Sequence, residues 1–308
     1  MSNPSSLLCR DATVPRLGLG TYRMQGDTCR QAVAVALEMG YRHIDTAEMY
    51  ENEEAVAAGV RDAGVPRGEL FLTTKIWRDN MRAGDLARAV EGSLRRLATD
   101  YVDLLLVHWP SDDVPMEETL GALVAQRDAG RCRLVGVSNH PPGLLAKALD
   151  LVPDLANNQV EYHPLLGQDR LLAIVREHDM FLTAYSPIAR NRIAGEQVLQ
   201  ETAAVHGASV AQIALAWLLA QDRVVAIPKA SGPEHLEENL GSVEVALSPD
   251  EIAAIDRLPK NRRMVDPGFV DFEERPPSLA DAPRRLARSA WHAARGLLRP
   301  TRGGDGGT

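Results

Sequence analysis

Four side chains suited to proton handling fall at the ends of three short apolar runs. Asp45 and Tyr50 follow His43-Ile44, Lys75 follows Leu70-Phe71-Leu72-Thr73-Thr74, and His108 follows Val102-Asp103-Leu104-Leu105-Leu106-Val107. A tyrosine is a poor acid near neutral pH because its ordinary pKa is about 10. A lysine ammonium within hydrogen-bond reach stabilises the phenolate, and an aspartate keeps that lysine charged and in place. Lowering the Tyr50 pKa by about two units corresponds to roughly 2.7 kcal/mol of differential interaction. A neutral His108 can hydrogen-bond a carbonyl oxygen and turn it toward the phenol. Together the four suit one task, protonating an oxygen whose carbon is gaining a hydride. Singly, each has a commoner explanation: a strand-end ion pair, a histidine bonded to backbone, a packing tyrosine. Their joint position at run ends carries the inference.

The elements that must position them alternate. Mostly apolar runs at residues 16–21, 43–45, 70–75, 103–108, 134–138, 158–161, 181–185 and 224–227 read as strands. Helical spacing follows each, at 27–40, 51–62, 85–97, 116–128, 142–149, 171–177, 210–221 and 233–240. Asp27-Thr28 is expected to cap the first helix and Gly40 to end it. Near-continuous apolar strands imply burial on both faces, as in a parallel sheet. Eight strand-helix units predict an α/β protein of the (β/α)8 TIM barrel class, with chemistry at the carboxyl ends of the strands. Gly18 and Gly20 are followed by Thr21-Tyr22-Arg23, so no G-x-G-x-x-G fingerprint opens the chain.

Composition narrows the function. The 308 residues are 45% hydrophobic, enough for a large core, and the net charge of -8 argues against a nucleic-acid partner. Cys9, Cys29 and Cys132 are far apart and form no C-x-x-C pair, so neither a disulfide framework nor a metal site is indicated. No apolar run is long enough to span a bilayer and no export signal is seen, so a cytoplasmic, monomeric protein is expected. Residues 1–277 are expected to form the barrel with its carboxyl-terminal substrate loop. Residues 278–308 form an arginine-rich tail, with Arg284, Arg285, Arg288, Arg295, Arg299 and Arg302, expected to be partly disordered.

With these residues in view, the chain resembles the aldo-keto reductase family. The matching stretches are Gly18-Leu19-Gly20-Thr21, Asp45 through Tyr50 with Asn52-Glu53, Thr74-Lys75-Ile76-Trp77 and His108-Trp109-Pro110. They continue with Gly136-Val137-Ser138-Asn139, Asn158-Gln159-Val160-Glu161-Tyr162, Ala184-Tyr185-Ser186-Pro187 and Ile227-Pro228-Lys229, in family order over residues 15–258. The resemblance implies a barrel that binds NADPH or NADH without a Rossmann fold and reduces aldehydes or ketones, with Tyr50 as general acid. By the same carry-over Asp45 and Lys75 tune Tyr50, and His108 positions the carbonyl. Ser138, Asn139 and Gln159 would hold the carboxamide and Tyr185 would stack on the nicotinamide ring. Gly20, Thr21, Asp45, Ser186, Pro187, Ile188, Ile227, Lys229, Ala230, Ser231, His235, Glu238 and Asn239 complete the implied cofactor contacts.

Departures from the family pattern sharpen the expectation. His235 takes the place of the usual arginine that binds the extra phosphate of NADPH, and a neutral imidazole is a weaker phosphate partner than a guanidinium. NADPH preference is therefore expected to be reduced, with NADH serving comparably. Tyr22, Trp77, His108 and Trp109 would line an apolar, aromatic pocket for a small carbonyl substrate, and residues 262–276 would help shape it. Two rivals are weighed. A dinucleotide-binding regulatory or sensing barrel has no need of a tuned phenol. A barrel hydrolase or isomerase would need a metal cluster or paired carboxylates that the strand ends do not offer.

Overall fold

The computed structural model describes residues 5–272. It begins with an antiparallel hairpin, β1 (Ser6–Cys9) and β2 (Ala12–Pro15), with Cys9 paired to Ala12 across the turn. Eight parallel strands follow: β3 (Leu19–Gly20), β4 (His43–Asp45), β5 (Phe71–Ile76), β6 (Val102–Val107), β7 (Cys132–Ser138), β8 (Asn157–Glu161), β9 (Phe181–Tyr185) and β10 (Val224–Ala226). Each pairs with its sequence neighbour. The sheet closes on itself where Leu17 bridges Ala226 in parallel, with Gly18 N–H on Ala226 O at 2.9 Å and Ala226 N–H on Arg16 O at 2.8 Å. This is the (β/α)8 barrel that the alternation predicts.

The helices are α1 (Gly26–Glu38), α2 (Glu53–Ala63), α3 (Ala83–Arg96), α4 (Met116–Asp128), α5 (Pro142–Leu151), α6 (Asp169–Glu177), α7 (Gln197–His206), α8 (Val210–Ala220), α9 (Pro233–Gly241) and α10 (Pro249–Asp256). Helix starts differ in places: α3 and α6 open two residues earlier than expected, at Ala83 and Asp169. Asp27 does not cap α1: the helix opens at Gly26, and Asp27 lies in its first turn, where a carboxylate favours the positive end of the dipole. The helix expected from residue 51 begins at Glu53. Glu48–Tyr50 instead form a separate 3-10 turn ended by Glu51 at φ 55°. The hairpin, α7 and α10 are additional to the predicted elements. α10 carries a legible signal, the Ser248/Glu251 capping box.

Two apolar layers hold the barrel. One lies between strands and helices and contains Ile44, Leu72, Leu105, Val135, Val160 and Leu182. The other fills the interior with Phe71, Leu104, Leu106, Leu134, Phe181 and Val225, and the hairpin residues Cys9, Ala12 and Val14 close its floor. Contacts divide the chain into two compact units, Met1–Met264 and Val265–Thr308. The second is described over 265–272, where Gly268 N–H bonds Asp266 Oδ1 at 2.9 Å. The arginine-rich tail at 278–308 and the last residues of the segment expected to shape the pocket lie outside the described residues. Among the described residues no single helix is long and apolar enough to cross a membrane.

Candidate active site

Side chains alternate faces along a strand, so Phe71, Thr73 and Lys75 share the inward face of β5 while Leu72, Thr74 and Ile76 face the helices. The same alternation aims Asp45 of β4, Ser138 of β7, Gln159 of β8 and Tyr185 of β9 into the carboxyl-terminal mouth. His108 follows the last residue of β6 and is held there by its N–H on Ile76 O at 3.0 Å. Tyr50 reaches the mouth from the 3-10 turn, whose carbonyl end is tied by Gln25 Nε2 to Tyr50 O at 2.7 Å.

The structure brings the four proton-handling residues together. Lys75 Nζ donates to Asp45 Oδ1 at 2.5 Å, to Thr46 O at 2.8 Å and to Tyr50 Oη at 3.3 Å. An ammonium has three N–H donors, and these three acceptors use all of them. Tyr50 Oη is therefore an acceptor toward Lys75, which leaves the phenolic hydrogen to point elsewhere. Gln159 Nε2 donates to the other carboxylate oxygen of Asp45 at 2.7 Å, so the charge pair is fixed from both sides of the barrel. The imidazole of His108 stands edge-on to Tyr50, with ring centres 5.6 Å apart, and to Trp77 at 5.2 Å. Tyr22 packs on Tyr50 at 5.1 Å from the solvent side.

Electrostatics correct one expectation. Tyr50 is held well above its ordinary pKa, because burial of the hydroxyl and then the Asp45 carboxylate both disfavour the phenolate. The direction is opposite to the lowering expected from Lys75, and the phenol keeps its proton through the neutral range. Burial pushes the Lys75 ammonium down from its ordinary value, with Asp45 opposing. His108 lies well below the ordinary histidine range, first through burial and then through the Lys75 charge, and is a neutral imidazole at pH 7. Its Nδ1 is buried without a hydrogen-bond partner.

Several positioning residues escape sequence reasoning. Glu48 accepts from Trp77 N–H at 3.0 Å and from Asn80 Nδ2 at 2.7 Å, joining the Tyr50 turn to the loop after β5. Asn52 entered only as part of a motif, yet its side chain accepts from Thr46 Oγ1 at 2.7 Å and donates to Thr21 O and Met24 O, both at 2.9 Å. Buried Glu53 accepts from Thr74 Oγ1 at 2.6 Å and pairs with Arg96 at 2.7 Å, fixing α2 to the back of β5. A polar residue flanking a helix start was the available signal; its partners were not.

The residues expected to hold a cofactor fall into two groups. Near the tetrad, Ser138 Oγ donates to Gln159 O at 2.8 Å and accepts from Asn139 Nδ2 at 3.0 Å. Asn139 sits at φ 60° and takes the Tyr185 hydroxyl on its Oδ1 at 2.8 Å. Ser186 (φ 49°), Ala189, Arg190 and Asn191 are all left-handed, a strained run whose cost, about 1 kcal/mol per residue, is sustained where the surroundings fix it. Pro187 and Ile188 stand between Ser186 and Ala189 and are not left-handed, with Ile188 at φ -104°. Gly20 and Thr21 have closer duties. A side chain at Gly20 would meet Ile227 O at 2.8 Å, and the Thr21 hydroxyl donates to Asp45 O at 3.0 Å. Beyond β10 lies the second group, where Lys229 is exposed, with its Nζ 3.5 Å from Ser231 Oγ, and Ala230 is buried. On α9, His235 is 75% exposed and bonds Glu238 at 3.0 Å, while Asn239 is buried.

The Aldo/keto reductase family pattern matches residues 16–260. Methylglyoxal reductase DkgB of Escherichia coli O157:H7 is 40% identical over 258 residues, 82% of this chain and 96% of that protein. Glyoxal reductase of Bacillus subtilis (strain 168) is 38% identical over 255 residues, 82% of this chain and 91% of that protein. A crystal structure provisionally named 2,5-diketo-D-gluconic acid reductase B superposes with a TM-score of 0.83 at 41% identity, covering 87% of this chain and 95% of its own. The closed barrel, the buried lysine-aspartate pair beneath a tyrosine and these likenesses converge: the chain belongs to the aldo/keto reductase family and is an oxidoreductase that reduces carbonyl groups with NAD(P)H.

Proposed function

We propose that Tyr50 is the proton donor of this carbonyl reductase, and the observation that carries the reading is the three-acceptor arrangement at Lys75. Because Lys75 Nζ donates to Tyr50 Oη at 3.3 Å, the phenolic hydrogen is free to be given to a substrate oxygen. As that proton leaves, the ammonium stabilises the phenolate, and Asp45, held by Gln159, keeps the ammonium in place. His108, a neutral imidazole beside Tyr50, donates a hydrogen bond to the carbonyl oxygen and sets its direction. The nicotinamide cofactor, when bound, supplies the hydride.

The donor set fits such a cofactor. Ser138, Asn139 and Gln159 offer amide and hydroxyl groups at the β7 and β8 ends, and Tyr185 offers a half-buried ring. Lys229, Ser231 and the N-terminal turn of α9 suit anionic phosphates. His235 already faces Glu238, which supports NADH serving comparably with NADPH. As substrate we infer a small 2-oxoaldehyde, because relatives at 40% and 38% identity are named for methylglyoxal and glyoxal, and Tyr22 and Trp77 wall a compact aromatic site. Cys9, Cys29 and Cys132 are free and buried, which supports a reducing, cytoplasmic setting.

Initial rates with methylglyoxal, an aldose and benzaldehyde, each with NADPH and NADH, test this. The highest kcat/KM is expected for methylglyoxal; a higher value for the aldose or benzaldehyde would overturn the substrate assignment. His235→Arg is expected to tighten NADPH binding about tenfold without changing NADH. An unchanged NADPH affinity would remove His235 from phosphate selection.

A further inference from the structure

A second buried carboxylate sits at the barrel mouth. Glu161, the last residue of β8, is fully buried and lies two positions beyond Gln159, so it shares the inward face. Its register partner across the sheet is Tyr185. Donors face the carboxylate: Met264 N–H at 2.6 Å and His163 Nε2 at 3.0 Å on Oε1, and the Arg263 guanidinium at 4.0 Å from Oε2. His163 Nδ1 accepts from Leu165 N–H at 3.2 Å, which leaves Nε2 to face Glu161. Arg263 brings a positive charge to the group, and its side chain is 23% exposed against 0% for Glu161. At 4.0 Å the guanidinium is not in hydrogen-bond contact with Oε2, in surroundings where charges act further than in water. The carboxylate's charge reaches the neighbouring ring: the Tyr185 phenol is held up first by burial and then by Glu161, with Arg263 and Arg190 opposing.

We propose that Glu161 is an electrostatic positioning residue of the cofactor site, whose buried negative charge, acting beside Tyr185, favours the oxidised, cationic nicotinamide over the reduced, neutral one. This rests on Tyr185 being the platform for that ring. Giving up a hydride leaves a positive charge on the cofactor, so a fixed carboxylate near the platform assists reduction of the carbonyl and strengthens retention of the spent cofactor. Asp45, by contrast, is neutralised by Lys75 in direct contact at 2.5 Å.

The test is the dissociation constant of NADP+ and of NADPH, read by quenching of tryptophan fluorescence without substrate. Glu161→Gln keeps the shape and an acceptor for Met264 N–H. It is expected to weaken NADP+ about fivefold while NADPH changes by less than about twofold. Arg263→Met removes the opposing cation and is expected to move the ratio the other way, which keeps the test decisive should Glu161→Gln fold poorly. Equal changes for both cofactor forms, or none, in either folded variant would overturn the inference, since a structural role alone moves both together. Tyr185→Leu is expected to weaken both forms. Were it to leave both unchanged, the platform reading would fall, and the inference with it.

Discussion

At the amino-terminal end of the barrel the inward positions of β5, β6, β7 and β9 carry Phe71, Leu104, Leu134 and Phe181; four residues further along each strand the same face presents Lys75, His108, Ser138 and Tyr185. The first set stacks into a dry layer, with Phe71 and Phe181 edge-to-face at 6.4 Å and His43 against Phe71 at 4.8 Å, sealed by the hairpin. The second is polar: Lys75, His108 and Ser138 are buried almost as deeply, Tyr185 is half-buried, and the Lys75 charge is paired with Asp45. Burial at the floor stabilises the fold. Burial at the mouth disfavours Lys75 as an ammonium and Tyr50 as a phenolate, and keeps His108 neutral. One set of strands thus separates stability from chemistry by position along the strand, as expected where function sits at the carboxyl ends.

Substitutions at the two ends should fail in opposite ways. Phe181→Ala empties the floor and is expected to cost about 4 kcal/mol in urea unfolding, while kcat per folded molecule stays within about twofold. A proportionate loss of kcat would show that floor and mouth are not separable. His108→Leu is expected to lower kcat/KM about a hundredfold, or about 2.7 kcal/mol in the barrier. Its melting temperature is expected to be unchanged or higher, because a buried imidazole nitrogen without a partner is removed. A large loss of stability would make His108 a structural residue. The smallest effect concerns pH. His108 lies well below 6.5 and Tyr50 well above 10, so neither titrates in the neutral range; above neutrality Lys75, lowered from 10.5, changes before Tyr50. The kcat/KM for reduction is expected to show no inflection near pH 6.5 and to fall on the alkaline side as Lys75 loses its charge. An inflection near 6.5 would contradict a neutral His108.

Much of the mouth was legible in the sequence because most strands are largely apolar runs that stop at a polar residue, and the stop marks the carboxyl end. Asp45, Lys75 and His108 are found this way. Tyr50 needed the loop after Asp45, and the resemblance to a family supplied Gln159 and Tyr185. The direction of the Tyr50 shift was not legible, because residue types name the charges but do not weigh burial against Lys75. The Glu161 cluster was hidden for another reason: its carboxylate meets a backbone N–H at Met264, 103 positions away, and no spacing announces that contact. The hairpin floor escaped because its alternate residues, such as Leu8 at 65% exposure, face solvent and read as a polar start with stray leucines.

The proton donor is the centre of the account, and Tyr50→Phe tests it most directly because it removes one oxygen and leaves the ring against Tyr22 and His108. The measurement is the single-turnover rate of methylglyoxal reduction together with the dissociation constant of NADPH. A loss of at least about a thousandfold in rate with cofactor affinity within about threefold is the predicted result. Retained turnover, with the rate reduced less than about tenfold, would contradict the assignment of Tyr50 as proton donor.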